Sequence, residues 1–479
     1  MVEKNEIYTI KITDMGSEGE GIGRIEGMTV FVPDTIVGDE AQIEITQVKK
    51  NFARGQLLSI EIPSVARIEP ECMYAGECGG CALQAMRYED QLKLKRKFVR
   101  DKLARIGGLE DAEVRSVRGM KAPLRYRNKA QFAIGAGAIK VRNDGSLANE
   151  NPASIGFYKK RSHDIVDCRK CLIQTEVSEV VADVMREYIK SDKVSVYDEK
   201  SGRGLLRHIV VKTAFKTGEV MVIIVMNGSK LPNTEKLVSK LSSAVEAVKP
   251  KLADQEKYVL RSVVINVNKK KTSEILGLEC KTIFGPDVIT DYVGTMKFEI
   301  SPLSFYQVNP EQMKKLYSIV AEYSGLTGEE TVVDLYCGVG TIGLSLASRA
   351  KYVWGIESEK GAVIDANRNA VINGIVNAQF IAGDAEDELP KLAEQGISPD
   401  LIILDPPRSG CEQELLAAVV DAAPARIIYV SCDPATLARD LKILCGPDGD
   451  YRFIEAQPVD MFPYTLHVET VVLMSRKEK

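Results

Sequence analysis

From Gly328 onward the chain alternates apolar runs with helical patterns: TVVDLYCGVGTIGLSLAS, YVWGIESEKGAVIDANRNAVING, AQFIAGDAEDELPKLA, PDLIILDPPRSG and RIIYVSCDPATLARDLKIL. Buried strands separated by helices are the signature of a doubly wound α/β sheet, a Rossmann-like fold whose ligands sit outside the carboxyl ends of the strands. The chemistry of this chain is therefore expected at those strand ends.

The remainder divides by texture. Residues 1–65 alternate apolar and polar positions between glycines, the pattern of a small antiparallel β-barrel of OB-like size. The glycines of GSEGEGIGRIEG permit tight turns but open no helix, so they form no phosphate loop. Residues 66–290 mix strands (HIVVKTAF, EVMVIIVMN, RSVVINVN) with helices and read as a central α+β domain; residues 291–479 carry the α/β pattern. At 479 residues, about two to four domains are expected. A basic helix over 84–107 could pack on the catalytic domain.

A formal charge of −4 argues against a polyanionic partner, yet it averages over local asymmetry. The stretch Arg87 to Arg105 holds eight Lys or Arg against three acids, and Lys121, Arg125, Arg127 and Lys129 follow. Two basic runs flanked by aromatics favour nucleic acid over a merely solvated face. The N-terminus lacks a signal-peptide core and no apolar run is long enough for a membrane span, so a cytoplasmic protein is expected. Ten cysteines in a reducing compartment then point to metal binding or catalysis.

Asp334-Leu-Tyr-Cys-Gly-Val-Gly340 places a glycine turn between a strand and a helix, where backbone can approach a bulky ligand. The next strand ends at Glu357, an acid suited to both ribose hydroxyls of a nucleoside cofactor, and Asp384 follows the third strand, near the adenine of such a cofactor. NAD fits these acids too, but the full GxGxxG is missing. The fourth strand ends at Asp405-Pro-Pro-Arg-Ser-Gly410, a carboxylate on a proline-fixed turn. The fifth ends at Cys432. A cysteine facing a cofactor cleft is a candidate nucleophile, more so where a helix N-terminus stabilises its thiolate, although most single cysteines are packing residues. Farther on, His467 and Glu469 precede an apolar strand, and either could accept a proton.

Cys72, Cys78 and Cys81 put three thiolates within ten residues, and Cys168 or Cys171 offers a fourth. Zinc and an iron–sulfur cubane both accept four thiolates, so spacing does not choose between them.

Together DLYCGVGTIGL, LDPPRSG, VSCDPATLARDL, FPYTLHVETV and the upstream Ser304-Phe-Tyr-Gln307-Val-Asn309 resemble the RNA 5-methyluridine methyltransferase family, and the N-terminal barrel looks like its TRAM domain. The likeness spans nearly the whole chain. It implies S-adenosyl-L-methionine as cofactor, contacted by Gln307, Tyr336, Glu357 and Asp405, with Thr341 and Asp384 as further contacts. It implies Cys432 as nucleophile on uracil carbon 6 and Glu469 as general base. It also implies a [4Fe–4S] cluster on Cys72, Cys78, Cys81 and Cys171, and with it 23S rRNA as substrate, processed by a monomer. Methylation of the tRNA T-loop is the alternative within the class. A non-catalytic RNA-binding module and a cytosine-5 methyltransferase lie outside it, and intact Cys432 and Glu469, with the HVETV ending, speak against both.

Overall fold

A computed structural model describes residues 2–137, 140–141, 147–148, 153–250 and 257–478. Two compact units form: Met1–Lys95 with Tyr158–His163 and Phe462–His467, and Arg96–Phe157 with Asp164–Met461 and Val468–Lys479.

The first unit is built on β1 (Ile7–Lys11), β2 (Asp14–Met15), β3 (Gly21–Ile25), β4 (Met28–Val32), β5 (Glu40–Val48) and β6 (Phe52–Ile62), hydrogen-bonded in the order β1-β5-β6-β4-β3-β2. The period-two pattern does what alternation dictates: Ala41, Ile43 and Ile45 turn inward with Ile10, Ile12, Val30 and Val32, and the residues between them stay wetter. The ladder is not wholly antiparallel, because β4 joins β6 in parallel. The helix α1 (Tyr88–Arg105) follows. Its Lys95 is fully buried, with Nζ donating to the Phe462 carbonyl at 3.0 Å, so this lysine of the basic run is structural.

In the second unit, a seven-stranded sheet combines β7 (Lys129–Ala136), β10 (Ala153–Tyr158), β11 (Ile165–Asp167), β12 (Leu206–Thr213), β13 (Glu219–Met226), β14 (Val259–Val267) and β15 (Glu279–Phe284), in the order β11-β10-β7-β12-β13-β14-β15. A short ladder pairs β8 (Lys140–Val141) with β9 (Leu147–Ala148). Every residue of β12 is buried, including Arg207, His208 and Lys212 on either side of its apolar Ile209–Val211 centre. Helices α2 (Glu176–Ser191) and α3 (Thr234–Glu246) add Val177, Val181, Met185, Leu237 and Leu241 to the core of this sheet. A hairpin of β16 (Ile289–Val293) and β17 (Met296–Ile300) leads to α4 (Pro310–Ser324).

The second sheet of this unit runs β20-β19-β18-β21-β22-β24-β23. Its strands are β18 (Thr331–Leu335), β19 (Tyr352–Glu357), β20 (Ala378–Ala382), β21 (Leu401–Leu404), β22 (Arg426–Ser431), β23 (Tyr451–Val459) and β24 (Glu469–Arg476). Helices α5 (Thr341–Leu346), α6 (Lys360–Ile372), α7 (Ala385–Glu394) and α8 (Gln413–Ala422) connect the first five, and α9 (Pro434–Cys445) leads from β22 to β23. Those five are parallel, whereas β24 is antiparallel to both β22 and β23. From β18 the chain winds outward to β20 and then returns to place β21 on the other side of β18. The topological switch point therefore lies between β18 and β21, where open α/β sheets leave a crevice for ligands. Among the described residues no helix is long and apolar enough to cross a membrane.

Candidate active site

Register brings the strand ends to one level. Leu335 pairs with Ile356 and with Leu404, Leu404 pairs with Tyr429, and Ser431 pairs with Thr470. One residue farther along each strand come Tyr336, Glu357 and Asp405. Because β24 runs the opposite way, the residue beyond the Ser431–Thr470 pair is Cys432 on one side and Glu469 on the other. The expected site residues on β18, β19, β21, β22 and β24 thus share the carboxyl edge of the parallel strands.

On the glycine turn, Tyr336, Gly338 and Gly340 have φ of 62°, 54° and 80°. Glycine enters this left-handed region freely; tyrosine does so only where its surroundings fix it, a conformation that clusters at functional sites. Glu357 accepts the Gly338 N–H at 3.1 Å through one oxygen and the Glu359 N–H at 2.9 Å through the other. Its carboxylate is thereby held beside the turn. Buried Asp334 accepts the Gly343 N–H at 2.8 Å, and burial pushes its carboxyl up to about 8. Thr341 opens α5 and accepts a hydrogen bond from Tyr317 Oη at 2.7 Å. Gln307 is buried, its carbonyl receiving Asn128 Nδ2 at 2.9 Å. Asp384 is exposed, at the N-terminus of α7. A pre-shaped glycine turn facing an anchored acid fits a nucleoside cofactor of the S-adenosylmethionine type, with Gln307, Tyr336, Thr341, Glu357, Asp384 and Asp405 as the residues to hold it.

Around Cys432 the electrostatics are those of a dry site. Burial raises the Cys432 thiol to about 11; Glu469 and Asp405 add to the rise, and the Arg408 guanidinium opposes it. Glu469 is 4% exposed and its carboxyl is raised to about 8, by burial first and then by Asp405, again opposed by Arg408. Burial raises Asp405 to about 7. At the N-terminus of α9, Asp433 caps the helix, accepting the N–H groups of Ala435 at 2.7 Å and Thr436 at 3.2 Å. Those amide donors are occupied. Arg408 stands inside the quoted LDPPRSG motif, but its sequence carries no sign that it faces the thiol.

His467, the competing base, is exposed, and its ring meets Phe462 edge-on at 5.9 Å. Arg125 belongs to the second basic run, yet it works inside the protein. With φ at 56°, it donates through Nη1 to the carbonyls of Cys171 at 2.6 Å and Gln174 at 2.9 Å and to Glu179.

Among the described residues no group of three or more His, Cys, Asp or Glu side chains is gathered to hold a metal. The thiols have protein partners: Cys78 Sγ accepts the Gly80 N–H at 3.4 Å, and a hydrogen bond from Cys168 draws the Cys171 thiol down to about 7. Cys72, Cys78 and Cys81 lie in the first unit and Cys171 in the second.

A family model described as tRNA (Uracil-5-)-methyltransferase matches residues 279–477, and a TRAM domain model matches residues 2–58. A Clostridium tetani protein named as an RNA methyltransferase is 46% identical over 474 residues, 99% of this chain and 97% of its own length. Another from Caldanaerobacter subterraneus is 47% identical over 476 residues, 99% of each. The chain belongs to the RNA uracil-5-methyltransferase family. Among solved structures, the Pyrococcus abyssi tRNA (uracil-54, C5)-methyltransferase in complex with S-adenosyl-L-homocysteine matches with a TM-score of 0.73 at 29% identity, covering 98% of this chain and 100% of that one. The family's TRAM domain corresponds to the first six strands, and its methyltransferase sheet to β18–β24.

Proposed function

We propose that this family member methylates carbon 5 of a uridine in 23S rRNA, with Cys432 as covalent nucleophile and Glu469 as general base. The observation that carries the reading is the register, which puts Cys432 and Glu469 on adjacent strand ends beside Asp405, across the switch point from the glycine turn. S-adenosylmethionine, when bound, supplies an electrophilic methyl group.

Carbon 5 of uracil is a weak nucleophile. The Cys432 thiol releases its proton to solvent and its sulfur adds to carbon 6; the electron pair of the 5,6 double bond is displaced toward carbon 5 and the carbon-4 oxygen, so that carbon 5 can bond to the methyl while S-adenosylhomocysteine would leave with the electron pair of the broken methyl–sulfur bond. Glu469, which must first release its own proton to solvent, then takes the carbon-5 proton as a carboxylate, the 5,6 double bond re-forms, and the sulfur leaves as thiolate. Asp405 orients the uracil edge, and Arg408 stabilises negative charge as the thiolate forms and departs. The target base must leave its stack, at a cost of a few kcal/mol. A monomer is part of this reading, and a sedimentation measurement tests it.

Methylation of the tRNA T-loop is the second reading, favoured by the tRNA uracil-54 enzyme among the structural matches. Purified protein is given S-adenosylmethionine with unmodified 23S rRNA or unmodified tRNA, and the products are mapped by mass spectrometry. A 5-methyluridine in 23S rRNA supports the first reading, and one confined to tRNA replaces it with the second. For the four cysteines, the family resemblance favours a [4Fe–4S] centre, while spacing alone allows zinc equally. Iron and sulfide determination on anaerobically purified protein decides between them.

A further inference from the structure

Behind the site lies a buried polar node that the proposed reaction does not use. Asp440, on α9, is fully buried. Its Oδ2 accepts the backbone N–H of Cys411 at 2.9 Å and the hydroxyl of Tyr429 at 2.6 Å, while Oδ1 accepts Arg439 Nε at 2.7 Å. Arg439 Nη2 donates in turn to the Cys411 carbonyl at 2.9 Å, and Thr436 Oγ1 to the Arg408 carbonyl at 3.1 Å. Thr436, Arg439 and Asp440, spaced i, i+3 and i+4 along one face of the helix, thus grip the loop that follows β21. Gly410 shows how close the approach is: with φ at 78°, a Cβ there would sit 2.6 Å from Arg439 Nη2 and 2.7 Å from Asp440 Oδ2.

The node joins the two strands that deliver the chemistry. Asp405 and Arg408 stand on the loop leaving β21, and Cys411 ends it. Tyr429 stands in β22 three residues before Cys432, and α9 begins two residues after Cys432. We infer that Asp440 is a positioning residue, fixing through Cys411 and Tyr429 the separation between the Asp405–Arg408 turn and the Cys432 sulfur. A buried carboxylate carrying three hydrogen bonds, one from a guanidinium, holds its partners far more rigidly than apolar packing would. Catalysis is sensitive to such spacing: a displacement of about 1 Å can cost about 100-fold in rate. This inference rests on the nucleophile reading of Cys432.

The test uses the full chain with RNA containing 5-fluorouridine, in which fluorine replaces the carbon-5 hydrogen. Glu469 cannot remove fluorine, so the carbon-6 adduct persists and can be counted. Asp440→Asn and Tyr429→Phe are compared with wild type for adduct formation, S-adenosylhomocysteine affinity, unfolding midpoint and kcat of methyl transfer. Asp440→Asn is expected to slow adduct formation and lower kcat at least tenfold with cofactor affinity within twofold of wild type; Tyr429→Phe should do so severalfold, and the double variant should be no slower than Asp440→Asn, because both residues act through one node. A residue that only stabilises the fold would lower the midpoint and leave kcat of the folded fraction unchanged. Wild-type adduct rate and kcat in folded Asp440→Asn overturn the inference; if that variant does not fold, the same result in Tyr429→Phe overturns it. Should wild type itself trap no adduct, the nucleophile reading fails, and kcat of the variants still decides whether Asp440 positions the site.

Discussion

Cys432 and Glu469 divide the work in a way that their surroundings enforce. Replacing Cys432 by Ala removes the sulfur that acts on the base and touches nothing that holds the cofactor. The variant should lose turnover and trap no 5-fluorouridine adduct while binding S-adenosylhomocysteine within about twofold of wild type; turnover at the wild-type rate would refute the nucleophile assignment. Glu469 supports a prediction about stability. Folded, it keeps its proton up to about pH 8; an unfolded glutamate releases it near 4.5. Between those values the folded state binds more protons, so raising the pH draws the chain toward unfolding, by up to about 1.4 kcal/mol per pH unit. Below pH 4.5 the group contributes no pH dependence. Glu469→Gln should therefore unfold at a higher temperature than wild type at pH 8, with the difference fading toward pH 5, and should be nearly inactive. Thermal unfolding across that range checks it. Tyr336, Glu357, Asp405 and Cys432 were legible because each closes an apolar run, and Glu469 because it opens one. Arg408, Asp440 and Arg125 were not, because their roles depend on which backbone groups lie across from them after folding.

At the scale of elements, helix α9 was written plainly in SCDPATLARDL, with Asp433 as cap and Pro434 as first residue. Asp433→Ala should cost about 1 kcal/mol of stability in denaturant titration. It would also free the Ala435 and Thr436 amides, so the Cys432 thiol should titrate lower than in wild type, read by thiolate absorbance against pH. The five parallel strands of the catalytic sheet were equally readable, each being a short apolar run that ends in a polar residue. The placement of β24 between β22 and β23 was not, since nothing local says where a terminal strand inserts. That insertion is what carries Glu469 to Cys432. In the first unit, alternation located the strands, but the parallel joining of β4 to β6 is a long-range choice that a period of two does not encode.

Over the second unit as a whole, the two large sheets are coupled through the segment that carries Gln307. Lys212, buried in β12, donates through Nζ to the carbonyls of Ser301 at 2.8 Å and Ser304 at 2.9 Å, and Asn128 holds the Gln307 carbonyl. Lys212→Met should leave those carbonyls unsatisfied at about 1–3 kcal/mol and raise the KM for S-adenosylmethionine severalfold with less effect on kcat. An unchanged KM would mean that the loop holds its shape without the central sheet. The sequence marked Lys212 only as an interruption of an apolar run; its partner loop lies about ninety residues away.

The Asp433 cap has a consequence for how this protein survives between encounters with RNA. With α9 giving its amides to its own capping residue, and burial raising the Cys432 thiol to about 11, the sulfur is held almost wholly as thiol at neutral pH. Peroxide and alkylating electrophiles react with thiolates far faster than with thiols. On the proposed reading, the resting nucleophile would therefore be chemically quiet between encounters with RNA.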